Sequence, residues 1–202
     1  TYGFSTREEL DADFRFGSPV VPPMVYRAFE SENLESLEFG LKSDFFNGKA
    51  RANIAVFSYD YENLQFQATD PDPYRGGVAN IPNSEMDGVE IEFTALLGDS
   101  ITFDMNLGFI DTEVTSEYEV LDNVLAYQYF FTEEQERYDL REDVKGNMLA
   151  KTPEFTADAT LTYEGELASG NPINVILQFI RRGEFMQRVS NNPSVDTVPE
   201  YQ

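Results

Sequence analysis

Apolar and polar residues alternate with a period of two in long runs along this chain, and the runs come in pairs joined by short turns. Val89, Ile91, Phe93 and Ala95 fall on one face of such a run, with Glu90, Glu92 and Thr94 on the other. After residues 96–100 the pattern resumes. Ile101, Phe103, Met105, Leu107 and Phe109 oppose Thr102, Asp104, Asn106 and Gly108. A period of two is the signature of β-strands with one apolar face. An earlier pair sets Leu37, Phe39 and Leu41 against Glu38, Gly40 and Lys42, and Ala50, Ala52, Ile54 and Val56 against Arg51, Asn53 and Ala55. Asn47-Gly48 lies between these two runs, a strong hairpin signal. A later pair runs from Phe155 to Tyr163 and from Ile173 to Ile180, where Ile176 and Ile180 break the polar side. The phase also blurs at Phe57, Tyr59 and Tyr61, which is read as a bulge or an aromatic girdle. Long polar loops are expected at residues 5–33, 68–83, 113–151 and 184–198.

A clean apolar face backed by a strongly polar one fits a tilted strand crossing a bilayer, which takes about 9–11 residues. Short turns at 45–49, 97–100 and 164–172, alternating with long loops, give the asymmetry of an outer-membrane barrel. The short turns would then be periplasmic and the long loops extracellular. The alternative is a soluble all-β carbohydrate-binding module of sandwich or jelly-roll type. It too predicts alternating strands and aromatic loops, but not the strict alternation of short and long connections.

The chain has 202 residues and a formal net charge of −23. That charge argues against nucleic acid as a partner, because binding phosphates needs clustered Lys and Arg. A mean hydropathy of −0.41 does not argue against a membrane, since a barrel confines its apolar residues to a thin band. No cysteine and no histidine occur, so disulfides, thiolate or imidazole metal ligands and histidine acid–base chemistry are excluded. No apolar run reaches the ~18 residues of a transmembrane helix. No nucleophile–base pair, phosphate loop or dinucleotide fingerprint occurs, so neither an enzyme nor a cofactor is expected. Both ends read as cuts through a larger protein.

Candidate chemistry lies in the loops. Residues 113–145 carry ten acids and three bases. Tyr127, Tyr129, Phe130, Phe131 and Tyr138 are placed there to touch a substrate or to pack within the loop. Capping-box spacing at Thr132–Gln135 predicts a short helix over 133–140. Arg181 and Arg182, at the outer end of a strand, suit an anionic ligand, a neighbouring acid or a lipid phosphate. Asp70 and Asp72 supply too few oxygens for calcium, so a solvated loop is the expectation and no metal site is assigned. Glu38, Glu90, Glu92 and Asp104 are expected on a hydrated lumen wall. Gly88 marks a bulge or a close backbone approach, and Gly40 and Gly108 relieve crowding.

Four fragments resemble the barrel region of TonB-dependent outer-membrane receptors, in that family's order. They are Glu35-Ser36-Leu37-Glu38-Phe39-Gly40-Leu41-Lys42-Ser43, the strand Ala55–Gln65, Asn83-Ser84-Glu85-Met86-Asp87-Gly88-Val89-Glu90, and Gly146-Asn147-Met148-Leu149-Ala150-Lys151-Thr152-Pro153. The resemblance covers residues 33–183 best. It implies an all-β, antiparallel transmembrane β-barrel segment, about seven strands of a plugged barrel of about 22. It also implies uptake of a scarce nutrient such as a siderophore, cobalamin or an oligosaccharide. The substrate-binding candidates are Tyr127, Tyr129, Tyr138, Arg181 and Arg182. The implied partners are the receptor's own plug domain and remaining barrel strands, the TonB complex acting through that plug, the nutrient ligand and outer-membrane lipid. The plug and the TonB box are expected to lie outside this chain, and the implied location is the cell outer membrane.

Overall fold

The computed structural model describes residues 29–69, 76–122, 124–125 and 141–202. In chain order the strands are β1 (Asn33–Phe45), β2 (Ala50–Thr69), β3 (Gly76–Leu96), β4 (Ile101–Val114), β5 (Glu119–Leu121), β6 (Arg141–Asp143), β7 (Phe155–Glu166), β8 (Pro172–Arg182), β9 (Phe185–Met186) and β10 (Thr197–Val198). Six of them form one sheet in the order β1-β2-β3-β4-β7-β8, and β5-β6 and β9-β10 form two small sheets. Strands adjacent along the sheet are sequence neighbours apart from the β4–β7 pair, which β5 and β6 interrupt. The main sheet thus has six of the expected strands. No helix among the described residues is long and apolar enough to cross a membrane.

Period two governs the β4–β7–β8 part of the sheet, where the register is unbroken. β4 and β7 pair from Ile101↔Tyr163 to Phe109↔Phe155, and β7 and β8 from Thr156↔Arg182 to Glu166↔Pro172. Directly opposed residues share a face. The turn after β1 is closed by Gly48 N–H to Phe45 O at 3.1 Å, with φ positive at Phe46, Asn47 and Gly48 (53°, 57° and 82°). Asn and Gly take that conformation at least cost.

Several expectations change. The loop read at 68–83 is mostly strand, since β2 runs to Thr69 and β3 starts at Gly76. At 20 and 21 residues these strands are about twice what a bilayer crossing takes. The 113–151 loop contains the β5–β6 hairpin, and 184–198 contains β9 and β10. The helix read at 133–140 lies outside the described residues.

The blurred phase at Phe57 is not a lipid-side girdle, because Phe57 lies on the polar face. Asn53, of the same parity as Phe57, donates from Nδ2 to Glu92 Oε2 at 2.9 Å, which places both on the polar face. The Phe57 ring lies over Gly88, where an added Cβ would collide with it, and stacks on Tyr59 at 4.8 Å. Phe57 is buried although it belongs to the polar face. The left-handed residue within β2 is Asn63, φ 59°. Gly88 therefore marks a close approach, but of the Phe57 side chain and not of another backbone. Gly88→Leu should cost about 1–3 kcal/mol through overpacking. Phe57→Ala in the same chain should restore part of it, as read by urea titration of the refolded barrel. Equal loss in single and double variants would show that the ring is not what fills the space.

The chain divides into two compact units. In the unit formed by residues 35–60, 85–113 and 146–202, large apolar side chains face outward. Leu37 and Phe39 are each 76% exposed, and Val56, Phe109 and Leu177 are also exposed. A water-soluble sandwich would bury such residues between its sheets. The aromatic pairs Phe93–Phe103 (6.3 Å) and Phe109–Phe155 (5.1 Å) lie on this apolar face.

The other unit takes in residues 61–84 and 114–122 among others, and it packs a small core of its own. Ile81, Val114, Val120 and Val144 are buried, and Phe66 meets Tyr118 edge-on at 6.0 Å. Asn80 Nδ2 donates to Asn63 O at 2.6 Å, which satisfies a carbonyl at the left-handed kink of β2.

Candidate functional site

The polar face of the main sheet is a ladder of side-chain hydrogen bonds running across the strands. Arg51 Nε donates to Asp44 Oδ1 at 2.7 Å at the turn end of β1 and β2. Beyond it come Asn53 to Glu92, Thr94 Oγ1 to Asp104 Oδ1 at 2.8 Å, and Asn106 Nδ2 to Asp158 Oδ1 at 3.0 Å. Each acid of the wall named here accepts from an amide, hydroxyl or guanidinium on the next strand. Such a wall holds water and carboxylates together without close acid pairs. Glu90 is also exposed on this face. Among the described residues no group of three acids stands close enough to hold a metal ion. Asp70 and Asp72 lie outside those residues.

Chain connectivity places Arg181 and Arg182 on opposite faces. Arg181 is opposed to Ala157 on the apolar face, and Arg182 to Thr156 on the polar one. Arg181 grips Glu200 with two bonds, Nε to Oε1 at 3.0 Å and Nη2 to Oε2 at 2.8 Å, and sits 5.6 Å from the Phe155 ring centroid. The guanidinium holds the Glu200 carboxyl below its ordinary pKa. Arg182 exchanges two backbone bonds with Tyr201, and its side chain is exposed. Tyr127, Tyr129 and Tyr138 lie outside the described residues, as do Phe130 and Phe131.

The segment preceding β7 is fixed by a knot of polar groups that alternation does not reveal. Asn191 Oδ1 accepts from Met148 N at 2.9 Å, and its Nδ2 donates to Met148 O at 3.0 Å. Asn147 Nδ2 donates to Val189 O at 2.9 Å. Buried Asp196 takes Arg188 Nε at 2.5 Å, Ser190 Oγ at 2.9 Å and Asn192 N at 2.9 Å. Thr112 Oγ1 receives Leu149 N at 3.0 Å. The turn-prone run Asn191-Asn192-Pro193 was the available signal for this knot.

In the β5–β6 hairpin, exposed Asp143 accepts from the backbone N–H of Tyr118 (3.0 Å) and of Lys145 (3.1 Å). These bonds hold its carboxyl below the ordinary pKa, the Tyr118 N–H contributing most. Burial pushes the Tyr118 hydroxyl up, partly offset by Arg141. A lowered carboxyl pKa adds stability above the unfolded value, and that contribution is lost as pH falls through the folded one. The Tyr118 and Lys145 amides should therefore lose hydrogen-exchange protection only below the usual carboxylate range. Protection that faded on alkaline titration instead would contradict this.

The family model described as "TonB dependent receptor-like, beta-barrel" matches residues 3–202. The chain belongs to the TonB-dependent receptor β-barrel family. It is an antiparallel transmembrane β-barrel segment, and the family is one of receptors. Among solved structures it is similar to the siderophore receptor PiuA from Acinetobacter baumannii (19% identity, TM-score 0.57, 83% of this chain and 20% of that one). It is also similar to the ferric yersiniabactin uptake receptor FyuA from Yersinia pestis (15% identity, TM-score 0.56, 83% and 21%). A third likeness is to FpvAI in its complex with pyocin S2 (16% identity, TM-score 0.50, 86% and 21%). At these identities the likeness is one of fold. The chain spans about a fifth of the length of the solved structures it matches.

Proposed function

We propose that this chain is a wall segment of an outer-membrane receptor that takes up a scarce nutrient with energy from the TonB complex. The observation that carries the reading is the two-faced sheet. Exposed Leu, Phe and Val line one side and a hydrogen-bonded carboxylate–amide ladder lines the other. The first side suits lipid, the second a wet lumen. The chain contributes barrel strands and extracellular loops. The rest of the receptor contributes the plug and the remaining wall. Binding and gated passage, rather than covalent chemistry, are its work.

Ligand contact is assigned to Tyr127, Tyr129, Tyr138 and the arginine pair. Within that pair Arg182 is the better placed, being exposed on the polar face, while Arg181 is held by Glu200. Two of the structurally similar proteins are by name a siderophore receptor and a ferric yersiniabactin receptor, which brings an iron-siderophore into consideration. The acid-rich 113–145 loop repels a bare anion. A neutral ligand held on Tyr and Phe faces, or an anion bridged by a divalent cation, fits this field better.

The test is deletion of residues 118–142 in the parent receptor, followed by binding and uptake of its growth-supporting ligand. Both should fall while the barrel still assembles. Unchanged binding and uptake would make the loop a surface shield. Single cysteines at Thr160, Leu161, Thr162 and Tyr163 should label alternately with polar and lipophilic reagents, which checks the wall itself.

A further inference from the structure

The apolar face of the sheet is not evenly filled. Toward the long-loop ends of β1 to β4 it holds a shallow groove of about 770 Å³. Phe39 on β1 and Phe109 on β4 stand on either side, and Val56, Ser58 and Val89 line the strands between them. Short side chains between two rings leave the hollow. Its outer edge is acidic. Asp87 and Asp111 sit next outward from Val89 and Phe109 on the same face of β3 and β4, and Glu154 joins them just ahead of β7. All three are exposed, and among the described residues no base or amide meets their carboxylates. Arg181, a base at the same end of the apolar face, is taken by Glu200.

We propose that this groove seats the acyl chains of a membrane lipid whose headgroup carries an amine. This rests on the reading of the chain as barrel wall. Asp87 and Asp111 lie about 9–10 residues along their strands from the short turn at 97–100, about the length of a bilayer crossing. The acids therefore stand where headgroups begin. Below them the chains lie against Val56, Val89 and Phe109, away from water. The sign of the charge selects the head. Three unpaired carboxylates repel an anionic head, whereas an ammonium gains a charge-assisted hydrogen bond from any of them. A divalent cation bridging carboxylates to a phosphate is the competing arrangement. Among the described residues no group of three acids stands close enough to hold a metal ion, which favours the amine.

The experiment uses the full-length receptor refolded into vesicles of equal parts phosphatidylethanolamine and phosphatidylglycerol with matched chains. Benzoylphenylalanine replaces Phe109 in the groove or, on the same face outside it, Phe179. After irradiation, mass spectrometry of the adducts should show the ethanolamine lipid enriched about fivefold at position 109 and not at 179, as one favourable charge contact at the surface would give. Asp87→Asn, Asp111→Asn and Glu154→Gln together should abolish the enrichment yet leave lipid adducts at 109, with barrel assembly checked by heat-modifiable gel mobility. Equal enrichment at both positions, or enrichment that survives in the assembled neutral variant, overturns the proposal. So does enrichment of phosphatidylglycerol that appears with magnesium and vanishes with a chelator, which would make the acids a cation bridge. Irradiation in the native outer membrane checks the occupant, and adducts at 109 with protein in place of lipid also overturn it. Nutrient uptake is scored separately. Amine-lipid enrichment without uptake sinks only the uptake reading, and uptake without enrichment sinks only the groove. Lipid adducts at neither position would sink the wall itself.

Discussion

Arginine in place of Phe103 or Met105 should destabilise the assembled barrel by roughly 2–4 kcal/mol, the cost of a cationic side chain near the bilayer midplane. Both residues belong to the apolar face of β4, opposed to Leu161 and Ala159 on β7, and Phe103 meets Phe93 at 6.3 Å. Met105 is the middle one of the five apolar positions from Ile101 to Phe109. It has the least chance of reaching an interface by bending its stem. Asn106→Arg is the internal control. It lies on the polar face beside Asp158, to which Asn106 already donates, so a guanidinium gains a carboxylate partner there. Urea titration of refolded receptor in lipid vesicles should separate the two faces sharply. Equal loss at Met105 and Asn106 would mean that both faces are packed, which is the sandwich arrangement.

Asp196→Ala should loosen the segment after β8 by roughly 1–3 kcal/mol, the cost of taking an acceptor from buried polar groups, since the Arg188 left behind is partly exposed. Asp196 is 1% exposed and accepts from Arg188, Ser190 and the Asn192 amide. Its removal takes one acceptor from each of the three and leaves a small void. Asp196→Asn keeps the shape but loses the charge, so it should fall between. Because Asn191 ties this segment to Met148, the loosening should spread to residues 146–149. Hydrogen exchange of the Met148 and Asn192 amides reads both ends. Faster exchange at Asn192 with Met148 unchanged would show that the asparagine does not couple them.

The strands that touch lipid were legible because lipid enforces the alternation. Val89–Ala95, Ile101–Phe109 and Phe155–Tyr163 each show it, and each is strand. Beyond the apolar band that pressure ends. Residues 76–84 carry Pro82 and no consistent apolar side, so they read as loop although the backbone is extended. Phe57 misled for a related reason. An aromatic residue on the polar face is unexpected until the missing side chain of Gly88, on the neighbouring strand, makes room for it. The arginine pair was located correctly at a strand end, yet adjacent residues in a strand face opposite ways, and only the pairing with Ala157 and Thr156 tells which is which. The knot around Asn191 was invisible because its bonds run mostly between side chain and backbone across 43 residues.

Ile176 and Ile180 stand among Asn174 and Gln178 on the polar side of β8, so its two faces differ less than those of its neighbours and its pattern fixes its alignment less firmly. Sliding it by one residue against β7 would still present two isoleucines to the apolar side. What prevents this is closure at both ends. Residues 167–171 form a short turn, with Leu167 N–H on Asn171 O and Gly170 N–H on Leu167 O at 2.8 Å each. At the far end Gly183 N–H reaches Phe155 O at 2.7 Å, and beyond it Asn147 and Asn191 join the two flanking segments. The hairpin is a closed circuit with a fixed number of residues in each arm, so its alignment is counted out by its ends where the pattern of its middle would leave it free to slip.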